Sequence, residues 1–264
     1  MIRKTGLSAA LFVLLAAGAA AAAESGARAI DYDNVHIRVL DPEKAAAWYV
    51  SALGATPSKP PAEGTAQVTF GSNVITIVKG PTVVKSEGTL IDHIGLSYAD
   101  LDAAVKKAEA AGAKVTSPPK MSPGIFRYAY IEDPWGVRIE MVEDNERLGF
   151  HHVHLRVKDP AATLAWYQQK LGGEASKLRG KLDGVRFNGV WLFAMPSGAE
   201  APGAPTAIQL VALRFNDVDA TLKALNANGV TTAAEPRELP ALKYAFVQDP
   251  NGIRVELVNR KIKP

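Results

Sequence analysis

The chain has 264 residues, 47% of them hydrophobic, with 30 basic residues against 27 acidic ones and no cysteine. Arg3 and Lys4 belong to an N-terminal leader, so the remainder holds 28 basic and 27 acidic side chains and lacks the basic excess of a nucleic-acid binder. Without cysteine there is no disulfide, no lipid anchor on a thiol and no thiolate metal site, so any metal must use His, Asp, Glu, Gln or Tyr.

In chain order, residues 1–23 read as a secretory signal peptide. Arg3 and Lys4 precede an apolar stretch over 7–22, and the small residues Ala21, Ala22 and Ala23 precede Glu24. The stretch is about 16 residues, shorter than the roughly 20 of a membrane-spanning helix. No twin-arginine pair is present, so the expectation is Sec-type export to the periplasm or beyond. The mature chain is expected to be free of the membrane and to acquire any metal outside the cytoplasm.

The first strand is His36-Ile37-Arg38-Val39, with alternation of period two. Asp41-Pro42 then opens a helix that carries Trp48-Tyr49 and closes at Leu53-Gly54. A loop at 58–64 follows, and a second opening strand begins at His93-Ile94-Gly95-Leu96. Asp100 or Asp102 starts the next helix, which runs through Ala110 and closes at Gly112 before a strand at Lys114. Pro118, Pro119 and Pro123 mark a loop, 127–131 a strand, Asp133-Pro134-Trp135-Gly136 a turn and 137–142 a closing strand.

After a boundary at 144–148 the pattern repeats. Val153-His154-Leu155-Arg156-Val157 copies Val35-His36-Ile37-Arg38-Val39, and Trp166-Tyr167 copies Trp48-Tyr49. Asp249-Pro250-Asn251-Gly252 copies the turn at Asp133, and a loop lies at 196–205. Each half divides again into two quarters of strand, helix and three strands, which predicts domains over 30–145 and 149–262.

All five histidines, His36, His93, His151, His152 and His154, fall on opening strands. Glu140 sits between Ile139 and Met141 and His36 between Val35 and Ile37, so the pleat that buries those apolar neighbours sends Glu140 and His36 to the opposite face. Polar groups there are expensive unless they meet water or a ligand.

This pattern resembles the vicinal-oxygen-chelate superfamily, which includes glyoxalase I, extradiol dioxygenases and bleomycin-resistance proteins. The resemblance implies an α+β, glyoxalase-like fold: four β-α-β-β-β modules pair into two cup-shaped, open, eight-stranded mixed sheets, each half closing its own cup. It implies that His36, His93 and Glu140 hold one divalent ion, Fe, Mn or Zn. A fourth family ligand, a Glu near 73–78, is missing, because Thr76 stands there. Two histidines and one carboxylate form the ligand set of non-haem iron oxygenases.

Residues 130–140 fit the extradiol signature Tyr-x-x-Asp-Pro-x-Gly-x-x-x-Glu, which makes Tyr130 the catalytic candidate. The upstream His of that signature is replaced by the stretch Met121, Ser122, Pro123. Arg38 shares a strand face with His36, and Arg138 with Glu140, so both are candidates to bind an anionic group of the substrate. The second half keeps His154 and Glu256 but has Leu210 where the first has His93, and it reads as a degenerate site or metal-free cup. His152 shares the face of His154 and offers a replacement ligand, whereas Gln209 reaches that face only through a bulge.

The implied function is that of a metal-dependent enzyme, of dioxygenase or lyase and isomerase type, acting on a small substrate that chelates the ion through neighbouring oxygens. The ion serves as a Lewis acid for an enolate- or catecholate-like oxyanion. The alternative is a metal-free protein of bleomycin-resistance type that sequesters a small molecule.

Overall fold

The computed structural model describes residues 27–81, 84–198 and 204–261, so the signal peptide expected over 1–23 lies outside the described residues. Four modules follow one another. The first comprises β1 (Asp31–Val39), α1 (Pro42–Leu53), β2 (Thr56–Ser58), β3 (Thr65–Phe70) and β4 (Asn73–Lys79). The second has β5 (Ile91–Ser97), α2 (Leu101–Ala110), β6 (Lys114–Met121), β7 (Arg127–Glu132) and β8 (Arg138–Glu143). The third has β9 (Gly149–Val157), α3 (Pro160–Leu171), β10 (Glu174–Leu178), β11 (Leu182–Phe187) and β12 (Val190–Pro196). The fourth has β13 (Ile208–Arg214), α4 (Val218–Ala227), β14 (Thr232–Glu238), β15 (Leu242–Gln248) and β16 (Arg254–Arg260).

The helices begin where the sequence marks them. Asp41, Asp100, Asp159 and Asp217 each accept a backbone N–H of the first turn, and Pro42 and Pro160 occupy positions that have no intrahelical donor to lose. Gly54 and Gly172 close α1 and α3 at φ 77° and 75°, a left-handed geometry that favours glycine. In the Asp-Pro-x-Gly turns, Asp133 accepts the N–H of Trp135 and Val137, and Asp249 those of Asn251 and Ile253. These turns are structural. The prolines read as a loop at 118 and 119 instead lie inside β6, which runs at the edge of its sheet, where a missing N–H costs no ladder bond.

Two open eight-stranded sheets result. One has the order β14-β15-β16-β13-β1-β4-β3-β2 and the other β10-β11-β12-β9-β5-β8-β7-β6. Module one therefore pairs with module four, through β1 and β13, and module two with module three, through β5 and β9, both antiparallel. The expectation that each half closes its own cup is corrected by this pairing. Connection lengths explain it. Only 144–148 separate β8 from β9, so β9 must lie close to the second module, whereas 80–90 between β4 and β5 are long enough to carry the chain to the other sheet.

The apolar faces of the opening strands, Val35 and Ile37 on β1 and Val153 and Leu155 on β9, are fully buried in the main core. Tyr32 and Phe150 stack at a centroid distance of 5.3 Å. Asp33, also fully buried, joins modules one and four, because it accepts hydrogen bonds from Arg214 on β13 and Arg260 on β16 at 2.6–3.1 Å.

A candidate metal centre at the junction of the halves

Both junctions are bulged. On β5 and β9 the register skips Asp92 and His151, and on β1 and β13 it skips Asp33 and Gln209. A bulge breaks the two-residue alternation and re-aims the side chains around it. In the sheet of modules two and three, this brings polar side chains of adjacent positions into one buried cluster.

His93 on β5, Glu140 on β8 and His152 and His154 on β9 each offer a donor atom, and these four atoms lie within 4.8 Å of one another. All four residues are buried. Glu140 Oε2 is 3.0 Å from His93 Nε2 and 3.1 Å from His152 Nε2. Burial opposes its charge, but the hydrogen bonds from His152 and His93 hold the carboxyl well below the usual range. Burial presses His154 well below the usual imidazole value, helped by its neighbours His93 and His152, and carries His152 down to about 4. Both shifts favour the neutral imidazole, the form that can give a lone pair to an ion. For His93 the hydrogen bonds of Asp92 and Glu140 outweigh burial and raise its value.

The surroundings orient these donors. His93 Nδ1 lies 2.6 Å from Asp92 Oδ1, which leaves Nε2 facing the cluster, and Asp92 is held at about 2, against its burial, by His93, the Gly88 N–H and Arg138. The ring of His152 lies where a side chain on Gly95 would be, 2.1 Å from an ideal Cβ, so the glycine supplies its seat.

The cluster fits a divalent ion. Its donors are three imidazoles and one ionised carboxylate, a set suited to zinc, iron or manganese. His154 Nε2 is buried and has no hydrogen-bond partner, the state of a lone pair reserved for a ligand. A cavity of about 230 Å³ opens from Glu140, His152 and His154 between Ile125, Phe126, Tyr128, Tyr130, Leu182 and Phe193.

The sequence-predicted residues are placed as follows. His93 and Glu140 come together as expected. His36 does not join them, because β1 lies in the other sheet, where His36 Nε2 is 3.3 Å from Glu256 Oε2. Its expected place is taken by His154 and His152, which the sequence argument assigned to a degenerate site together with Glu256. Tyr130 lines the cavity, edge-on to His93 at 5.3 Å, and burial followed by the charge of Glu140 raises its hydroxyl, which stays protonated. Arg138 lies over the Tyr130 ring at 4.0 Å and pairs with Asp92 at 2.9 Å. Arg38 is in the other sheet and donates to Gln209 at 3.2 Å. Neither arginine lines the cavity, whose described wall contains no lysine or arginine. The missed signal was the histidine cluster of 151–154 immediately after the short 144–148 linker.

The other junction is a copy that lacks two of the four donors. Leu210 faces His36 in register, as His93 faces His154, and Ala212 faces Asn34, as Gly95 faces His152. Arg254 covers Phe246 as Arg138 covers Tyr130. His36, Asn34 and Glu256 line a cavity of about 190 Å³, with Tyr244, Phe246 and Leu242 in its wall.

Comparison with known proteins agrees with this architecture. The family model described as the Glyoxalase/Bleomycin resistance protein/Dioxygenase superfamily matches twice, over residues 31–141 and 149–257. The chain belongs to this superfamily. Glyoxalase I from Zea mays is 21% identical at a TM-score of 0.71, over 88% of this chain and 92% of that one. A candidate dioxygenase from Bacillus subtilis is 18% identical at a TM-score of 0.66, over 89% and 86%. The Mn(II)-bound glyoxalase from Novosphingobium aromaticivorans is 19% identical over 88% and 82%, at a TM-score of 0.38. At these identities the likeness to the Zea mays and Bacillus subtilis proteins is one of fold. No curated protein matches the chain in sequence.

Proposed function

We propose that this superfamily member is a metal-dependent enzyme whose single divalent ion is held by His93, Glu140, His152 and His154, and which acts on a small substrate that chelates the ion through two neighbouring oxygens. The observation that carries this reading is the convergence of four buried residues whose donor atoms lie within 4.8 Å of one another, in a site where His154 Nε2 is buried without a hydrogen-bond partner. An ion held by these four residues would keep room beside them for a bidentate substrate. When bound, the ion supplies Lewis-acid stabilisation of the oxyanion that develops on the substrate.

The chain's own residues supply the rest. Asp92 fixes His93 and Arg138 fixes Asp92, so the ligand geometry is set before substrate arrives. Tyr130 presents a protonated hydroxyl and serves as a hydrogen-bond donor to a substrate oxygen, not as a base. Ile125, Phe126, Leu182 and Phe193 exclude water and select a small substrate with an apolar or aromatic body, and without a cation in the wall an anionic tail gains nothing there. The signal-peptide pattern read in residues 1–23 supports a site of action in the periplasm or outside the cell.

The deciding experiment is elemental analysis of protein recovered from its native compartment, with about one ion per chain expected. Protein free of metal that does not take up added Zn(II), Mn(II) or Fe(II) would move the function to small-molecule sequestration. The other junction favours that second role for its own cup, because Leu210 and Asn34 replace two ligands while the aromatic wall is kept.

A further inference from the structure

We infer that His151 and Asp144 are positioning residues that lock His152 into the ring orientation and tautomer needed to present Nε2 to the ion. The inference rests on the metal-site reading above. His151 is the bulged residue of β9, displaced from the register between Phe150 and His152. Its Nδ1 lies 2.8 Å from His152 Nδ1, and its Nε2 lies 3.3 Å from Asp144 Oδ2. Asp144 is held from the far side by Arg179, at 2.7 Å, and by the backbone N–H of Glu146 at 3.1 Å. Both histidines are buried, and Phe126 meets the His151 ring edge-on at 5.6 Å.

The proton count along this chain has one solution once His152 Nε2 gives its lone pair to an ion. A neutral imidazole has one N–H, so His152 must carry it on Nδ1 and donate it to His151 Nδ1. His151 then carries its own proton on Nε2 and donates to the Asp144 carboxylate, whose other oxygen accepts from Arg179. Every donor meets an acceptor. His93 reaches the same state through one carboxylate, Asp92; His152 reaches it through a second imidazole. The duplicated junction serves as an internal contrast, since Asp33 stands where His151 does and Asn34 where His152 does, and Asp33 is taken by Arg214 and Arg260. Among the described residues of the two junctions, the relay is found in the cup that keeps all four donors.

The test uses the full mature chain, wild type and the variants His151→Leu and His151→Gln. Zn(II) affinity is read by calorimetry and the His152 tautomer by 15N NMR of the zinc-loaded protein. His151→Leu is expected to weaken Zn(II) binding about 10–100-fold and to mix the His152 tautomers. His151→Gln, whose side-chain oxygen can accept from His152, is expected to recover most of the affinity. Wild-type affinity in a folded His151→Leu protein overturns the proposal and leaves the metal site standing. Absence of Zn(II) binding by the wild type overturns both. Should His151→Leu fail to fold, the wild-type spectrum of the zinc-loaded protein decides through His151: a proton on its Nε2 with Nδ1 unprotonated supports the relay, and a proton on His151 Nδ1 refutes it.

Discussion

His93 and His154 face each other in register across the β5–β9 junction, with ring centroids 4.8 Å apart, although one belongs to the first half of the chain and the other to the second. The candidate site is therefore a product of the pairing between halves, and substitutions can separate it cleanly from the site that sequence alignment within the first half implies.

His93→Leu reproduces what the other junction has at Leu210, and His36→Ala removes a residue of the other cup. Metal content is expected to fall from about one ion per chain to near zero in the first variant and to stay unchanged in the second. Elemental analysis after dialysis checks both. Loss of metal in His36→Ala would restore the arrangement in which each half closes its own cup.

The module plan, the duplication, the capping aspartates and two of the four clustered donors, His93 and Glu140, were legible because each is encoded locally, in strand alternation or a turn. The pairing of modules was not. Any two of these modules present an opening strand able to pair with another, so local pattern does not distinguish first with second from second with third. The choice follows from the lengths of 80–90 and 144–148. His152 was visible as sharing a face with His154, but the bulge at His151 that links it to Asp144 leaves no mark in the alternation.

Gly95→Ala tests the seat of His152. An added Cβ would come within 2.1 Å of the imidazole, far inside contact distance, so the ring must move off its position. Zn(II) affinity is expected to drop at least about 10-fold while the fold persists, because Ala212 occupies the equivalent place in the other sheet beside the smaller Asn34. Calorimetry gives the affinity, and circular dichroism the fold. Undiminished affinity would show that His152 is not a ligand.

Asp33 makes stability depend on acid. Although burial opposes its charge, the Arg260 and Arg214 guanidinium groups hold its carboxyl below the ordinary 3.8. A carboxylate lowered in the folded state stabilises above the unfolded value and loses that contribution as pH falls through the folded value. Asp33→Asn is expected to cost about 3 kcal/mol at pH 7, as for removal of one member of a buried ion pair. The gap between variant and wild type should narrow below pH 3.8. Urea unfolding at pH 7 and pH 3 measures it, and a gap that widens in acid would contradict the assignment.

The strongest test of the duplication is to rebuild the lost site. His36 and Glu256 already lie 3.3 Å apart, and the Asn34 amide reaches the same Glu256 oxygen at 3.4 Å, so the carboxylate already meets the residues that stand in the places of His154 and His152. Two changes restore the donors, Leu210→His opposite His36 and Asn34→His in the place of His152, and Ala212→Gly opens the seat that Gly95 provides in the other cup. Metal content of the triple variant is expected to rise from about one ion per chain to about two. The new site should bind about 10–100-fold more weakly than the native one, because the residue skipped by the bulge, which is Asp92 beside His93, is here Gln209, an amide held by Arg38. Adding Gln209→Asp should recover part of that difference. A triple variant that folds and still holds one ion would show that the two junctions, for all their matched register, do not present their strands at equivalent positions.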